Sequence, residues 1–180
     1  MIDSRDALRR YLAADLAAHG LSRWRSHYRL TKRIVYFQRL LRRSEYWSNC
    51  RRDPVGLAMA VALRLRVKLL GERMGYSIPR NTFGPGLSIA HTGTIVVNMN
   101  ARVGANCRIH QGVTIGEARG RYPVIGDDAQ LAPNSLVIGA TLGDRVHVWP
   151  GAVVTRDFPS DSDLAGVPAR VVPHERESAR

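Results

Sequence analysis

The 180-residue sequence predicts a mainly β fold: a parallel β-helix behind an α-helical N-terminal domain. The first observation is a period of six. Val97, Val103, Ile109 and Ile115 fall in phase, as do Ile125, Leu131 and Val137, and then Leu142, Val148 and Val154. The second is the company these anchors keep. Four places after them come Ala101, Cys107, Val113, Ala129, Ser135, Thr141, Val146 and Ala152, and the place directly after an anchor is often glycine, as at Gly104, Gly116, Gly126 and Gly143. Such a period matches neither a helix nor the plain alternation of a hairpin strand. It matches a solenoid in which each hexad is one short strand and a tight turn, with equivalent residues stacked inside. The third observation is a change of rhythm, because before residue 75 the apolar residues recur at helical spacing.

The elements follow in order. Residues 5–18 place Leu8, Tyr11, Leu12 and Leu16 on one face of an amphipathic helix that stops at Gly20. A second helix runs from about Trp24 to Tyr46, with Leu30, Ile34, Phe37 and Leu41 inward and six basic residues around the rest. Asp53-Pro54 opens a third helix, reaching about Met74, with Asp as the N-cap and Pro at the first helical position. Ser77 to Gly86 is a breaker-rich entry to the solenoid. Phe83, Ile89 and Ile95 are already six apart, and the frame slips by two residues before Val97. Between Ile115 and Ile125 the gap is ten, so Glu117 to Pro123 is expected to leave the coil as a loop, and function gathers on such loops. The gap from Val137 to Leu142 is five, a one-residue deletion. The expected domains are therefore 1–75 helical, 76–172 β-helix, and a disordered tail over 173–180.

Composition narrows the function classes. The formal net charge is +12, and all of the excess lies in residues 1–80, with 18 Lys/Arg against 6 Asp/Glu. Such a surface suits an anionic membrane face or simply a solvated helix surface. Nucleic acid is not expected, because the apolar residues follow core spacing and no recognition motif accompanies the basic ones. The longest apolar run, Gly56 to Leu70, is interrupted by Arg64, Arg66 and Lys68 and is no membrane span. Two cysteines, Cys50 and Cys107, make no disulfide framework. With no charged-then-apolar leader at Met1, a cytoplasmic location is expected.

Of six histidines, His91 and His110 lie within the solenoid. His91 is in the turn-forming half of its hexad, and His110 stands where glycine or alanine usually follows an anchor. Spacing alone makes such a residue a stacked or hydrogen-bonded surface group more often than a catalyst. A zinc site is not expected, since His110 has no companion histidine on the same run.

The hexads resemble the left-handed β-helix of hexapeptide-repeat acyltransferases. Within that class, Ile89-Ala-His91-Thr-Gly-Thr, Ile109-His-Gln-Gly-Val-Thr-Ile-Gly116, Arg121-Tyr-Pro-Val-Ile-Gly126 and Gly166-Val-Pro-Ala-Arg170 resemble the serine O-acetyltransferase group, over roughly residues 8–172. Gly75 to His91 and Phe37 to Trp47 resemble most the subset found in capsule and exopolysaccharide gene clusters. The resemblance supplies the left hand of the coil. It also implies acetyl-CoA as co-substrate, with no metal, and a homotrimer whose active sites lie in clefts between subunits. It makes His91 the general base that takes the acceptor hydroxyl's proton, a role that suits imidazole. It puts Asp53 and Arg121 on the acceptor, with His110 beside them, and Gly116, Ala132 and Arg170 near coenzyme A.

The departures from serine enzymes also carry information. An aspartate that precedes the histidine there is Ala90 here, and a histidine in the loop is Tyr122. The place of a carboxylate that orients the imidazole is taken by Tyr76 or Ser77. These changes favour a sugar or other small neutral hydroxyl compound as acceptor, with O-acetylserine formation as the alternative. The chain ends Glu177-Ser-Ala-Arg180, without the isoleucine-ended tail of serine enzymes, so no complex with cysteine synthase is expected. The non-enzymatic reading, an interaction module built on the basic helices, does not account for His91, Gln111, Arg121 and the Gly166–Arg170 segment occurring together.

Overall fold

The computed structural model describes residues 1–173, so the expected tail beyond Pro173 lies outside the described residues. Helices α1 (Arg5–Ala17), α2 (Tyr28–Thr31), α3 (Arg33–Cys50) and α4 (Pro54–Met74) come first. Ser4 caps α1 by accepting from the Ala7 N–H, and Asp53 caps α4 by accepting from Gly56. Left-handed Gly75 ends α4. The single helix expected from Trp24 to Tyr46 is two helices, because Lys32 leaves helical geometry at φ −129°, ψ 68°. Trp24 bridges the break, packing on Tyr28 of α2 and lying near Tyr36 of α3.

The solenoid has five coils. They carry β1 (Tyr76–Ser77) and β2 (Ser88–Ile89); β3 (Ile95–Val97), β4 (Arg102–Val103) and β5 (Arg108–Ile109); β6 (Thr114–Gly116), β7 (Val124–Ile125) and β8 (Gln130–Leu131); β9 (Leu136–Ile138), β10 (Thr141–Leu142) and β11 (His147–Val148); β12 (Val153–Val154) and β13 (Asp163–Ala165). The antiparallel strand β14 (Arg170–Val172) closes the end against β13. Parallel pairing stacks them into three faces: β1-β3-β6-β9-β12, then β4-β7-β10, then β2-β5-β8-β11-β13. Phe83 and Phe158 extend the second face by single bridges.

The hexad arithmetic becomes geometry here. Ile89, Ile109, Leu131, Val148 and Leu164 stack inside the third face at zero exposure. The places four after the anchors are buried too, with one exception. The deletion after Val137 moves Ala140 into the interior slot and turns Thr141 outward, against the sequence expectation. Glycine follows the second-face anchors because the next coil leaves no room. A Cβ on Gly104 would meet Gly126 at 2.7 Å, and one on Gly126 would meet Gly143 at 2.6 Å. At the corner between second and third faces the turns need a left-handed residue, supplied by Asn106, Asp128, Arg145 and Asp161.

The helices are joined to the first coil by a buried charge cluster. Arg42 of α3 has no exposure and donates to Asp15 of α1, to Glu45, and to the carbonyls of Phe83 and Gly84. Asp15 accepts in turn from the Gly86 and Leu87 N–H groups, and Glu45 from Asn81. Burial disfavours the Arg42 charge, but the Asp15 and Glu45 carboxylates outweigh it and raise its pKa above the ordinary value. The face of α1 that turns inward thus buries Asp15, while Leu8, Tyr11, Leu12 and Leu16 are only half-buried. Phe37 and Leu41 of α3 share one continuous core with the coils. Among the described residues no helix is long and apolar enough to cross a membrane.

Removing one partner of a buried ion pair leaves the other uncompensated, which costs about 3–5 kcal/mol. Asp15→Ala is therefore expected to lower unfolding free energy by that amount, read from urea denaturation. A loss below about 1 kcal/mol, the scale of a surface pair, contradicts the clamp.

Candidate functional site

The two-residue frame slip falls at His91. Ile89 pairs with Ile109 and Val97 with Ile115, so eight residues on the first coil face six on the second. The Ala90 N–H still reaches the Ile109 carbonyl, and the Gly112 N–H reaches Thr94. The extra length is therefore confined to His91-Thr92-Gly93, which bulge over Gln111 at the corner between third and first faces. Glycine is needed at 93, since a Cβ there would come within 2.9 Å of the Gln111 Cβ.

The bulge is fastened to the end of α4. The Gly93 N–H donates to the Met74 carbonyl and the Ile95 N–H to the Gly75 carbonyl. The Tyr76 hydroxyl donates to the His91 carbonyl at 2.9 Å. The His91 ring is exposed and lies 6.0 Å from the His110 ring, between centroids. Burial, then the positive neighbours Arg108, His91 and His147, hold His110 below the usual imidazole pKa, which favours its neutral form.

The expected site residues divide between two corners flanking the first face. On the corner between third and first faces, the ladder places Ala90, His110, Ala132 and Trp149 in one column, with His91 beside it. Arg170 in β14 sits at the C-terminal end of that third face. On the corner between first and second faces lie Gly116, Arg121 and Tyr122. There the expected loop is a small hairpin, bridged between Ala118 and Arg121 and turning through Arg119 and Gly120, both at positive φ. The Arg121 guanidinium holds both oxygens of Asp157, at 2.7 and 2.8 Å.

A single chain does not bring these groups together. His91 and Arg121 are separated by the width of the first face. Asp53 is farther still, because it caps the opposite end of α4 from Gly75, and 21 residues of helix span about 30 Å. Asp53 pairs there with Arg51, whose hydrogen bonds hold its carboxyl down at about 2. Sequence reasoning missed Trp149, which follows the anchor Val148 as His110 follows Ile109. Its ring lies 5.2 Å from that of His147, and among the described residues its Nε1 is buried without a hydrogen-bond partner, as is Oε1 of Gln111. A bulky residue in the place usually held by glycine or alanine is the signal that marks both His110 and Trp149.

Cys107 is not in this site. It is fully buried in the interior stack, and burial pushes its thiol up to about 12, so it carries almost no thiolate near neutrality. Among the described residues no cluster of three or more His, Cys, Asp or Glu is placed to hold a metal ion. Native protein at pH 8 is expected to be alkylated by iodoacetamide at Cys50 at most, with Cys107 reacting only after unfolding. Labelling of Cys107 in the folded protein, seen by peptide mass, would restore it as a nucleophile.

No family model matches the chain. A curated serine acetyltransferase of Synechococcus elongatus is 34% identical over 99 residues, covering 52% of this chain and 41% of its own length. The chain spans about half, or less, of the length of the curated relatives it matches. Among solved structures, soybean serine acetyltransferase complexed with serine superposes with a TM-score of 0.72 at 25% identity, over 93% of this chain and 70% of that one. A serine acetyltransferase in complex with CoA gives the same TM-score at 21% identity, over 93% and 71%. In sequence and in fold the chain is similar to the serine acetyltransferases, and its β-solenoid with a helical N-terminal region is the architecture of those structures.

Proposed function

We propose that the protein is an acetyl-CoA-dependent O-acetyltransferase whose acceptor is the hydroxyl of L-serine. The observation that carries this reading is the His91 bulge, an exposed imidazole on a rigid corner, in a chain similar to enzymes of that name. The acetyl donor reading is supported by the CoA-bound relative of the same fold, and the acceptor by the names of the relatives and the serine-bound one. In the step itself His91 takes the acceptor hydroxyl's proton as that oxygen attacks the thioester carbonyl. The tetrahedral intermediate then collapses with cleavage of the C–S bond, and the imidazolium returns the proton to the departing sulfur. Cys107, buried and protonated, has no part in it.

Three copies about a threefold axis complete the site. In that arrangement the corner with His91, His110 and Ala132 on one copy faces the corner with Gly116 and Arg121 on the next. The same packing supplies Asp53 from outside the chain that supplies His91. The serine carboxylate then takes Arg121 from Asp157.

A neutral acceptor is the second reading, favoured by a specific observation. Arg121 is already neutralised by Asp157, and Ala90 and Tyr122 offer no charge for an amino acid's ends. That is the chemistry expected of the capsule and exopolysaccharide subset, with a sugar as substrate. Thiol release from acetyl-CoA, compared across L-serine, hexoses and amino sugars, decides between them. L-serine is expected to be turned over at sub-millimolar concentration, and His91→Ala to lower the rate ~10²–10⁴-fold. Turnover of a sugar but not of L-serine selects the second reading. Rates unaffected by His91→Ala overturn the general base in both.

A further inference from the structure

We infer that Tyr76 is a positioning residue for acetyl transfer, its hydroxyl holding the His91 carbonyl and thereby aiming the imidazole. The inference rests on the reading of His91 as general base. Three residues of the bulge face one residue of the next coil, so the His91 carbonyl lies outside the regular ladder. Bulged residues are left unpaired by the ladder, so their direction is set by whatever other contacts they make. Gly93 is held at the far end of the bulge by the Met74 carbonyl, and Tyr76 is the restraint on His91 itself. Its ring is 6% exposed and meets Phe37 edge-on at 5.1 Å, while its backbone pairs with Ile95 just past the bulge. The phenol is thus fixed at the ring and at the backbone, and it donates to His91 across 2.9 Å. Burial pushes its pKa up to about 12, so the hydroxyl remains a donor through the whole working range of pH.

Among the described residues the His91 ring itself has no hydrogen-bond partner, so its direction is inherited from the backbone beneath it. Serine enzymes, by the resemblance, place a carboxylate where this chain has Tyr76 or Ser77. The structure distinguishes these two: Ser77 is exposed and lines the groove beside α4, whereas Tyr76 reaches the bulge. Tyr76 therefore acts on the ring through the main chain. Because the bulge is at the surface, water replaces the lost donor in a phenylalanine variant, and the consequence is positional rather than a buried orphan.

Tyr76→Phe keeps the ring and its contact with Phe37 and removes one hydrogen bond. It is expected to lower kcat about 10-fold or more, as small misplacements of a catalytic group do. KM for acetyl-CoA and the thermal midpoint are expected to stay close to parent values. The double variant His91→Ala/Tyr76→Phe should react at the rate of His91→Ala alone, since Tyr76 acts only through the imidazole. An unchanged kcat in Tyr76→Phe, with His91→Ala inactive, overturns the positioning role and leaves the general base standing. A further loss when Tyr76→Phe is added to His91→Ala also overturns it. Full activity in His91→Ala removes the general base and this inference with it.

Discussion

A buried guanidinium holds the molecule together at its one heterogeneous joint. A solenoid stacks identical coils and can extend without end, so its first coil presents unpaired strand edges unless something different covers them. Here the cover is helical, and the covering surfaces meet through Arg42. Its donors are met by two carboxylates and by the Phe83 and Gly84 carbonyls of the first coil. The carboxylates pass the connection on to the N–H groups of Asn81, Gly86 and Leu87. An apolar contact of equal size would tolerate sliding, whereas this network has one register. Because α3 carries both Arg42 and Phe37, and Phe37 packs on Tyr76, the same helix that closes the coil also supports the His91 corner.

That corner shows how a repeat acquires chemistry. Regular coils leave little room for a reactive side chain on the second face, where the place after each anchor is pressed against the next coil. Two inserted residues at His91-Thr92 and four at the hairpin before Val124 are the departures that put functional groups outside the stack. They fall on different corners of the prism. This separation, rather than any single distance, leaves His91 and Arg121 of one chain apart and is the reason for proposing a site shared between copies.

Much of this was legible in the sequence, for physical reasons. The six-residue period is imposed by interior stacking, so Val97, Ile109 or Leu131 announce both strand and burial. Insertions show up as gaps in the same count, which is why the frame slip before Val97 and the loop at Glu117–Pro123 could be placed to within a few residues. The helices were less legible. Lys32 leaves helical geometry inside a continuous apolar pattern, and periodicity alone does not report such a break. Beside Ala7, the buried residue of α1 is a carboxylate, Asp15, and no hydrophobic pattern reports a residue buried by its ion pair. Thr141 was misplaced by one because a deletion can be absorbed on either side of a turn. In the site, His91 and Arg121 could be named by resemblance, but their separation depends on which corner each turn occupies, and spacing along the chain does not contain that. The comparisons also weigh toward serine where the departures at Ala90 and Tyr122 had weighed toward a sugar.

The central claim is that acetyl transfer occurs between copies, with His91 from one and Arg121 from the next. Subunit mixing tests it most directly. His91→Ala and Arg121→Ala proteins, each nearly inactive, are unfolded together, refolded, and assayed for thiol release at fixed total concentration. Random trimers would then contain intact pairings at about a quarter of their sites, so activity is predicted to return to about that share of the parent rate. Activity no greater than the sum of the two separate variants would show that both residues act from one chain, and an Arg121→Ala protein as active as the parent would show that Arg121 has no part in the reaction; either result would contradict the account.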